Sequence, residues 1–271
     1  MNDPLIDIGV NLTSKQFRAD LPAVIERALN GGVSYMIVTG LTAPLSQAAL
    51  ELARARPRQL CCTAGVHPHN ASSVDAHTRG ELRNLARAPE VVAIGECGLD
   101  YDRDFSPRPQ QRAAFEAQLE LAAERQKPVF LHQRSAHDDF ERILRNARLK
   151  LTGGVVHCFT GDARELDCYL ELGLCIGITG FICDERRGTH LRELVRRIPP
   201  NRLMVETDAP FLLPRDLKGV NGRRNEPAYL PHVARAVARY AGRDEADLRR
   251  STTATAFELF GLAARFAAPA D

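Results

Sequence analysis

The chain of 271 residues contains no tryptophan, only three methionines and 6 % aromatic residues. An extended aromatic channel for a long single strand of nucleic acid is therefore not expected. No apolar stretch approaches the roughly 20 residues that a helix needs to cross a bilayer. The opening Met1-Asn2-Asp3-Pro4 has no basic run leading into an apolar core, so no secretory signal is read there and no membrane is expected. Neither sign of charge is in excess. Lysine and arginine total 36 against 34 acidic residues, a formal charge of +2. That gives no basic face for gripping duplex DNA. Cys-x-x-Cys is absent, the seven cysteines are an odd number, and Cys61 and Cys62 are adjacent. These features exclude a disulfide framework and fit reduced thiols in the cytoplasm. Linkers, low-complexity runs and short-period repeats are also missing.

What the sequence has is alternation. Apolar, β-branched runs at 5–10, 35–38, 60–66, 91–96, 128–131, 153–156, 174–178 and 203–207 read as buried strands. Between and after them lie helical stretches at 21–29, 45–56, 78–88, 110–126, 137–146, 164–172, 191–198, 231–240 and 244–260. Asp20 suits an N-cap, Asn30-Gly31-Gly32 a stop, and Pro57, Pro128 and Pro199-Pro200 further stops. Strict β/α alternation implies a parallel sheet, and eight strands in about 250 residues favour a closed (β/α)8 TIM barrel. One barrel domain is expected over 1–262, with a short tail at 263–271. An open doubly wound sheet is the competing architecture, but it would leave several polar strand ends without a shared site.

Those polar ends carry the functional reading. Val91-Val92-Ala93-Ile94-Gly95 runs into Glu96, Phe130-Leu131 into His132, Val155-Val156 into His157, and Met204-Val205-Glu206-Thr207 into Asp208. In a parallel barrel these four residues converge on the C-terminal rim, where barrel chemistry sits. Two imidazoles and two carboxylates form a mixed nitrogen and oxygen set suited to Zn, Mn, Fe or Mg. Glu206 shares a face with Asp208 one layer deeper, to orient its neighbours or to pair with a buried cation. His67 and His69 flank Pro68 past the third strand and either bind a substrate anion or cap the loop. Asp7 points inward with Gly9 and Asn11. Arg134 and the Arg223-Arg224 loop offer guanidinium groups for phosphate, or are ordinary surface arginines.

Gly-Val-His67-Pro-His69, Gly-Glu96-Cys-Gly-Leu-Asp, His157-Cys-Phe-Thr-Gly and Glu206-Thr-Asp208-Ala-Pro together resemble the signatures of the TatD-type metal-dependent deoxyribonuclease family, over nearly the whole chain from Asp7 to Phe260. The resemblance implies a TIM barrel of the amidohydrolase kind, a divalent-metal site and phosphodiester hydrolysis. It further implies a 3′→5′ exonuclease favouring single-stranded DNA, with RNA as a second substrate. Glu96, His132 and His157 are then metal ligands, and Asp208 is a ligand or the group that activates water. Most of the wider family opens with Asp-x-His-x-His. Here Gly9 and Asn11 stand at the two histidine positions. The site is thereby richer in oxygen, which tilts it from Zn²⁺ toward Mg²⁺ or Mn²⁺, with Mg²⁺ expected. The expected partner is a single-stranded or frayed nucleic-acid end, met by a monomeric enzyme. Hydrolysis of a small-molecule amide, ester or phosphotriester is the alternative on the same barrel type. A metal-binding scaffold without chemistry is a third reading.

Overall fold

The computed structural model describes residues 3–220 and 222–263. Eight strands form one sheet in the order of the sequence. They are β1 (Leu5–Val10), β2 (Val33–Val38), β3 (Leu60–Ala64), β4 (Val91–Asp100), β5 (Val129–Arg134), β6 (Gly154–Val156), β7 (Cys175–Ile178) and β8 (Leu203–Val205). Every neighbouring pair from β1–β2 to β7–β8 is parallel. Beyond the end of β8 the chain reaches back to β1. Asp208 N–H donates to Gly9 O at 2.9 Å, and Asn11 N–H to Ala209 O at 2.8 Å. These bonds close a TIM barrel of the amidohydrolase kind.

Nine α-helices are described: α1 (Leu21–Asn30), α2 (Ala43–Ala55), α3 (Ala76–Leu85), α4 (Arg108–Arg125), α5 (His137–Ala147), α6 (Ala163–Glu171), α7 (Thr189–Leu194), α8 (Leu230–Ala241) and α9 (Glu245–Phe260). Their starts follow local side-chain chemistry. Thr42, Asp75 and Asp244 accept N–H groups of the first turns of α2, α3 and α9, and Asp162 forms a reciprocal cap with Glu165 on α6. Asp20 departs from the expectation. It stands at the N-cap of α1 but makes no capping bond, because Arg27 and Arg224 hold its carboxylate at 3.0 and 2.8 Å. The helix expected over 191–198 also divides. It runs as α7 and then tightens into a 3-10 turn, Val195–Arg197, ahead of Pro199-Pro200.

Apolar side chains fill the barrel in a layer beneath the rim. Tyr35, Ile37, Cys61, Phe130, Val155, Cys175 and Met204 form one cluster of buried residues. Two positions along the same strands come His132 after Phe130, His157 after Val155 and Glu206 after Met204. The period-2 alternation of a strand thus stacks the polar layer directly on the apolar one. The tail expected at 263–271 lies outside the described residues, apart from Ala263.

Candidate metal and catalytic site

Glu96 is the hub. Its Oε1 lies 2.7 Å from His157 Nε2, 2.9 Å from His132 Nδ1 and 3.2 Å from His67 Nε2. The expected trio Glu96, His132 and His157 is therefore brought together, and His67 joins it. His69 stands one step out, with Nε2 2.7 Å from Asp100 Oδ2. Asp100 was not singled out from the sequence, although the signal was there: it follows Glu96 by four residues, so an extended β4 carries both on one face. Its Oδ2 lies 3.4 Å from His132 Nε2, but without hydrogen-bond geometry.

Glu206 sits a layer deeper and is fully buried. It pairs with His157, Oε2 lying 3.3 Å from Nδ1, and its Oε1 accepts the Cys158 N–H. Space for this carboxylate comes from two glycines. A Cβ on Gly9 would come within 2.4 Å of Oε2, and one on Gly177 within 2.5 Å of Oε1. The volume left by glycine at position 9 of the first strand is thus filled by a carboxylate from the end of β8.

Asp208 adopts a left-handed backbone, φ 54°, held by its N–H bond to Gly9. Asn11 Nδ2 donates to Asp208 Oδ1 at 2.9 Å, while Asn11 Oδ1 is buried without a partner. Asp7 does not join the group. Its carboxylate accepts Thr207 N–H at 2.9 Å and the Thr207 hydroxyl, tying β1 to the segment after β8. Arg134 lines the cavity, paired with Asp102 at 3.0 Å. Arg224 faces elsewhere, bound to Asp20 at 2.8 Å and to Glu226 at 2.6 Å.

Burial alone would push the Glu96 carboxyl up, but the charge of His157 and the hydrogen bond from His132 outweigh it and hold it well below its ordinary range. Burial opposes charge on His157 too, and Glu96 and Glu206 overcome it, raising that imidazole well above its ordinary value. His132 is raised likewise, burial being outweighed by Asp100 and Glu96. His67 moves the other way, lowered to about 4 chiefly by burial. Burial lifts Asp208 to about 7, with the Glu96 charge adding to it.

These residues suit a divalent cation. Three ring nitrogens converge on one carboxylate oxygen, and atoms of His67, Glu96 and His132 all lie within 4.8 Å of one another. Asn11 Oδ1 is buried with no hydrogen-bond partner, and His132 Nε2 is buried facing the Asp100 carboxylate at 3.4 Å without a hydrogen bond. Above them opens a cavity of about 980 Å³, whose walls include Phe105, Arg134, Tyr169, Arg187 and Phe211. A hollow of about 1020 Å³ lies at the opposite mouth, beside Val91, Pro128, Gly153 and Cys175. Glu258 is the one acid on its wall and no histidine joins it, and Lys127, Arg148 and Arg202 there donate to main-chain carbonyls.

Comparison with known proteins agrees with this geometry. The family model described as "TatD related DNase" matches residues 6–261. A protein of Erwinia tasmaniensis named 3′-5′ ssDNA/RNA exonuclease TatD is 54 % identical over 259 residues, covering 95 % of this chain and 100 % of that one. One of the same name from Rahnella is 52 % identical over 262 residues, covering 96 % and 100 %. The crystal structure of a TatD-family hydrolase from Entamoeba histolytica superposes with a TM-score of 0.87 at 26 % identity, covering 96 % of this chain and 99 % of that one.

Proposed function

The chain belongs to the family of TatD-related DNases and is a metal-dependent nuclease, and we propose that it removes nucleotides from the 3′ ends of single-stranded DNA and RNA. The relatives of that name match along their entire length, which supports the polarity and the choice of strand. The observation that carries the reading is the Glu96 hub at the floor of a cavity walled by loops. A frayed or single-stranded terminus reaches such a floor. An internal phosphate of a stiff duplex does not.

Glu96, His132 and His157 hold the metal, with His67 beside them. A divalent cation held there would polarise a phosphoryl oxygen and make water more acidic. Mg²⁺ is the proposed ion, because Glu96, Asp100, Asp208 and Asn11 add four oxygen-bearing side chains to the histidines. Asp208 takes the proton of the attacking water. Asn11 fixes the carboxylate that does so, and Glu206 fixes the ring of His157. Arg134, on the cavity wall, binds the phosphate that flanks the scissile one. Glu96, His132, Arg134 and Asp208 line one cavity of a single chain, which supports a monomeric enzyme. No helix among the described residues is long and apolar enough to cross a membrane. With no disulfide among the seven cysteines, the compartment we propose is the cytoplasm, where trimming of frayed ends serves DNA repair.

The test compares linear and circular single strands of one sequence across Mg²⁺, Mn²⁺ and Zn²⁺, with a chromogenic ester as control. Loss of the linear strand alone, fastest with Mg²⁺, is expected. Equal loss of the circle would mean internal cutting and would end the exonuclease reading.

A further inference from the structure

Three large hydrophobic side chains are exposed among the described residues: Leu149, Phe105 at 68 % and Phe211 at 49 %. Both phenylalanines line the cavity above Glu96. Phe105 lies between β4 and α4, and Phe211 lies just past β8, so the two rings rise from opposite sides of an eight-stranded barrel. Exposed aromatic rings at the mouth of a nuclease site leave apolar surface in water until something covers it.

Both rings are held in position. Ser106, next to Phe105, is buried. Its hydroxyl donates to His69 O at 2.9 Å and accepts Ser72 N–H at 3.1 Å. The Phe105 ring meets His69 edge to face at 4.7 Å, and Asp100 fixes His69 in turn. Phe211 N–H donates to Asp208 O at 3.0 Å, and Phe211 O accepts Asn225 Nδ2 at 2.7 Å from a fully buried asparagine. Each ring is thus tied through its backbone to the machinery of the site while its face stays open.

We infer that Phe105 and Phe211 are two nucleobase-stacking subsites, one for the base of the departing nucleotide and one for the base on the other side of the scissile phosphate. The inference rests on the nuclease reading and adds to it how a pocket whose walls carry more acids than arginines grips a strand of any sequence. Every base offers a π face, so stacking is tolerant of sequence. A base paired and stacked in a duplex offers neither ring a free face. Two rings on facing walls limit the grip to the bases around one phosphodiester, consistent with trimming from an end.

The experiment uses the full chain with Mg²⁺ and three single-stranded oligonucleotides. One is unmodified, one has an abasic residue at the 3′ terminus, and one has it at the next position. Phe105→Ala and Phe211→Ala should each raise KM on the unmodified strand by roughly 10-fold, with kcat largely kept. Phe105→Tyr and Phe211→Tyr should restore wild-type KM, whereas leucine at either position should not. Each alanine effect should vanish on one abasic strand and persist on the other, with opposite assignments for the two rings. Equal losses on all three strands, or KM unchanged in both alanine variants, would overturn the subsites while leaving the nuclease intact. Failure of the wild type to release nucleotides from any strand would instead remove the nuclease reading and the subsites with it.

Discussion

Replacing Gly9 with alanine adds one methyl group where none fits. The new carbon would stand 2.4 Å from Glu206 Oε2 and 3.0 Å from Phe130 Cζ. Glu206 has no room to retreat. On its other side Oε1 lies so close to Gly177 that a Cβ there would come within 2.5 Å, and the carboxylate is bound to His157 and Cys158. Overpacking a filled core typically costs about 1–3 kcal/mol. Loosening the charged contact to His157 adds roughly 1 kcal/mol, for a total of about 2–4 kcal/mol. In a chain of this size that lowers the melting temperature by roughly 5–15 °C. Turnover should fall as well, by at least about tenfold, because His157 is oriented through Glu206. Calorimetry and nucleotide release measure the two effects. Gly80→Ala is the matched control. In the middle of α3 its new methyl meets nothing within 4 Å, and it should stabilise by about 0.5–1 kcal/mol. A Gly9→Ala protein that melts within about 2 °C of wild type and keeps its turnover would refute the account of Glu206 as a wedged, orienting carboxylate.

Other perturbations separate the remaining roles. His132→Ala should lose metal-dependent nucleotide release while keeping its circular-dichroism spectrum, and wild-type turnover in that variant would remove it from the ligand set. Asp208→Asn should keep much of the bound metal, measured by equilibrium dialysis, but lose turnover, since an amide offers oxygen yet accepts no proton near neutral pH. Burial lifts Asp7 to about 8, so the folded state keeps a proton that the unfolded chain gives up near pH 4, and this group's contribution to stability falls as pH rises between those values. Asp7→Asn should therefore gain in melting temperature relative to wild type as pH rises from about 4 to about 8, and a constant difference across that range would contradict the assignment. Arg224→Ala should lower the melting temperature slightly through loss of its Asp20 and Glu226 pairs and leave KM for oligonucleotides unchanged.

Particular residues show where reading the sequence succeeds and where it stops. The eight strands were legible because both of their faces are buried, which writes each as an apolar run with a polar end. Glu96, His132 and His157 were legible for the same reason, as charged or polar residues that no strand interior would tolerate unpaired. Strand ends were less so. β4 continues to Asp100 and β5 to Arg134, since the pairing of Gly98 with His132 and Asp100 with Arg134 comes from the neighbouring strand and not from local pattern. For His67 the sequence leaves loop cap and substrate-anion binding open; its Nδ1 accepts the His69 N–H, which is the capping contact, while its Nε2 faces Glu96, a partner that local sequence does not reveal. Asp20 looked like a cap because only local partners are visible in sequence. Of the two arginines that take its carboxylate, Arg27 is seven residues on and Arg224 is 204 residues away. Glu206 matching the gaps at Gly9 and Gly177 could not be anticipated, because three strands supply one cavity.

The bonds that join the ends of the barrel have a temporal consequence. Asp7 and Thr207 are 200 residues apart, and Asn11 and Asp208 are 197 apart. A chain growing from its N-terminus makes Glu96, His132 and His157 first, but Asp208, the proposed proton acceptor, and the seam beside it arrive with the last strand. If Asp208 takes the proton as proposed, hydrolytic competence should be absent from a nascent or stalled polypeptide and should begin with ring closure. Because that seam closes so long a loop, the appearance of nuclease activity during refolding should report its completion, later than the appearance of helix or of the strands that precede it.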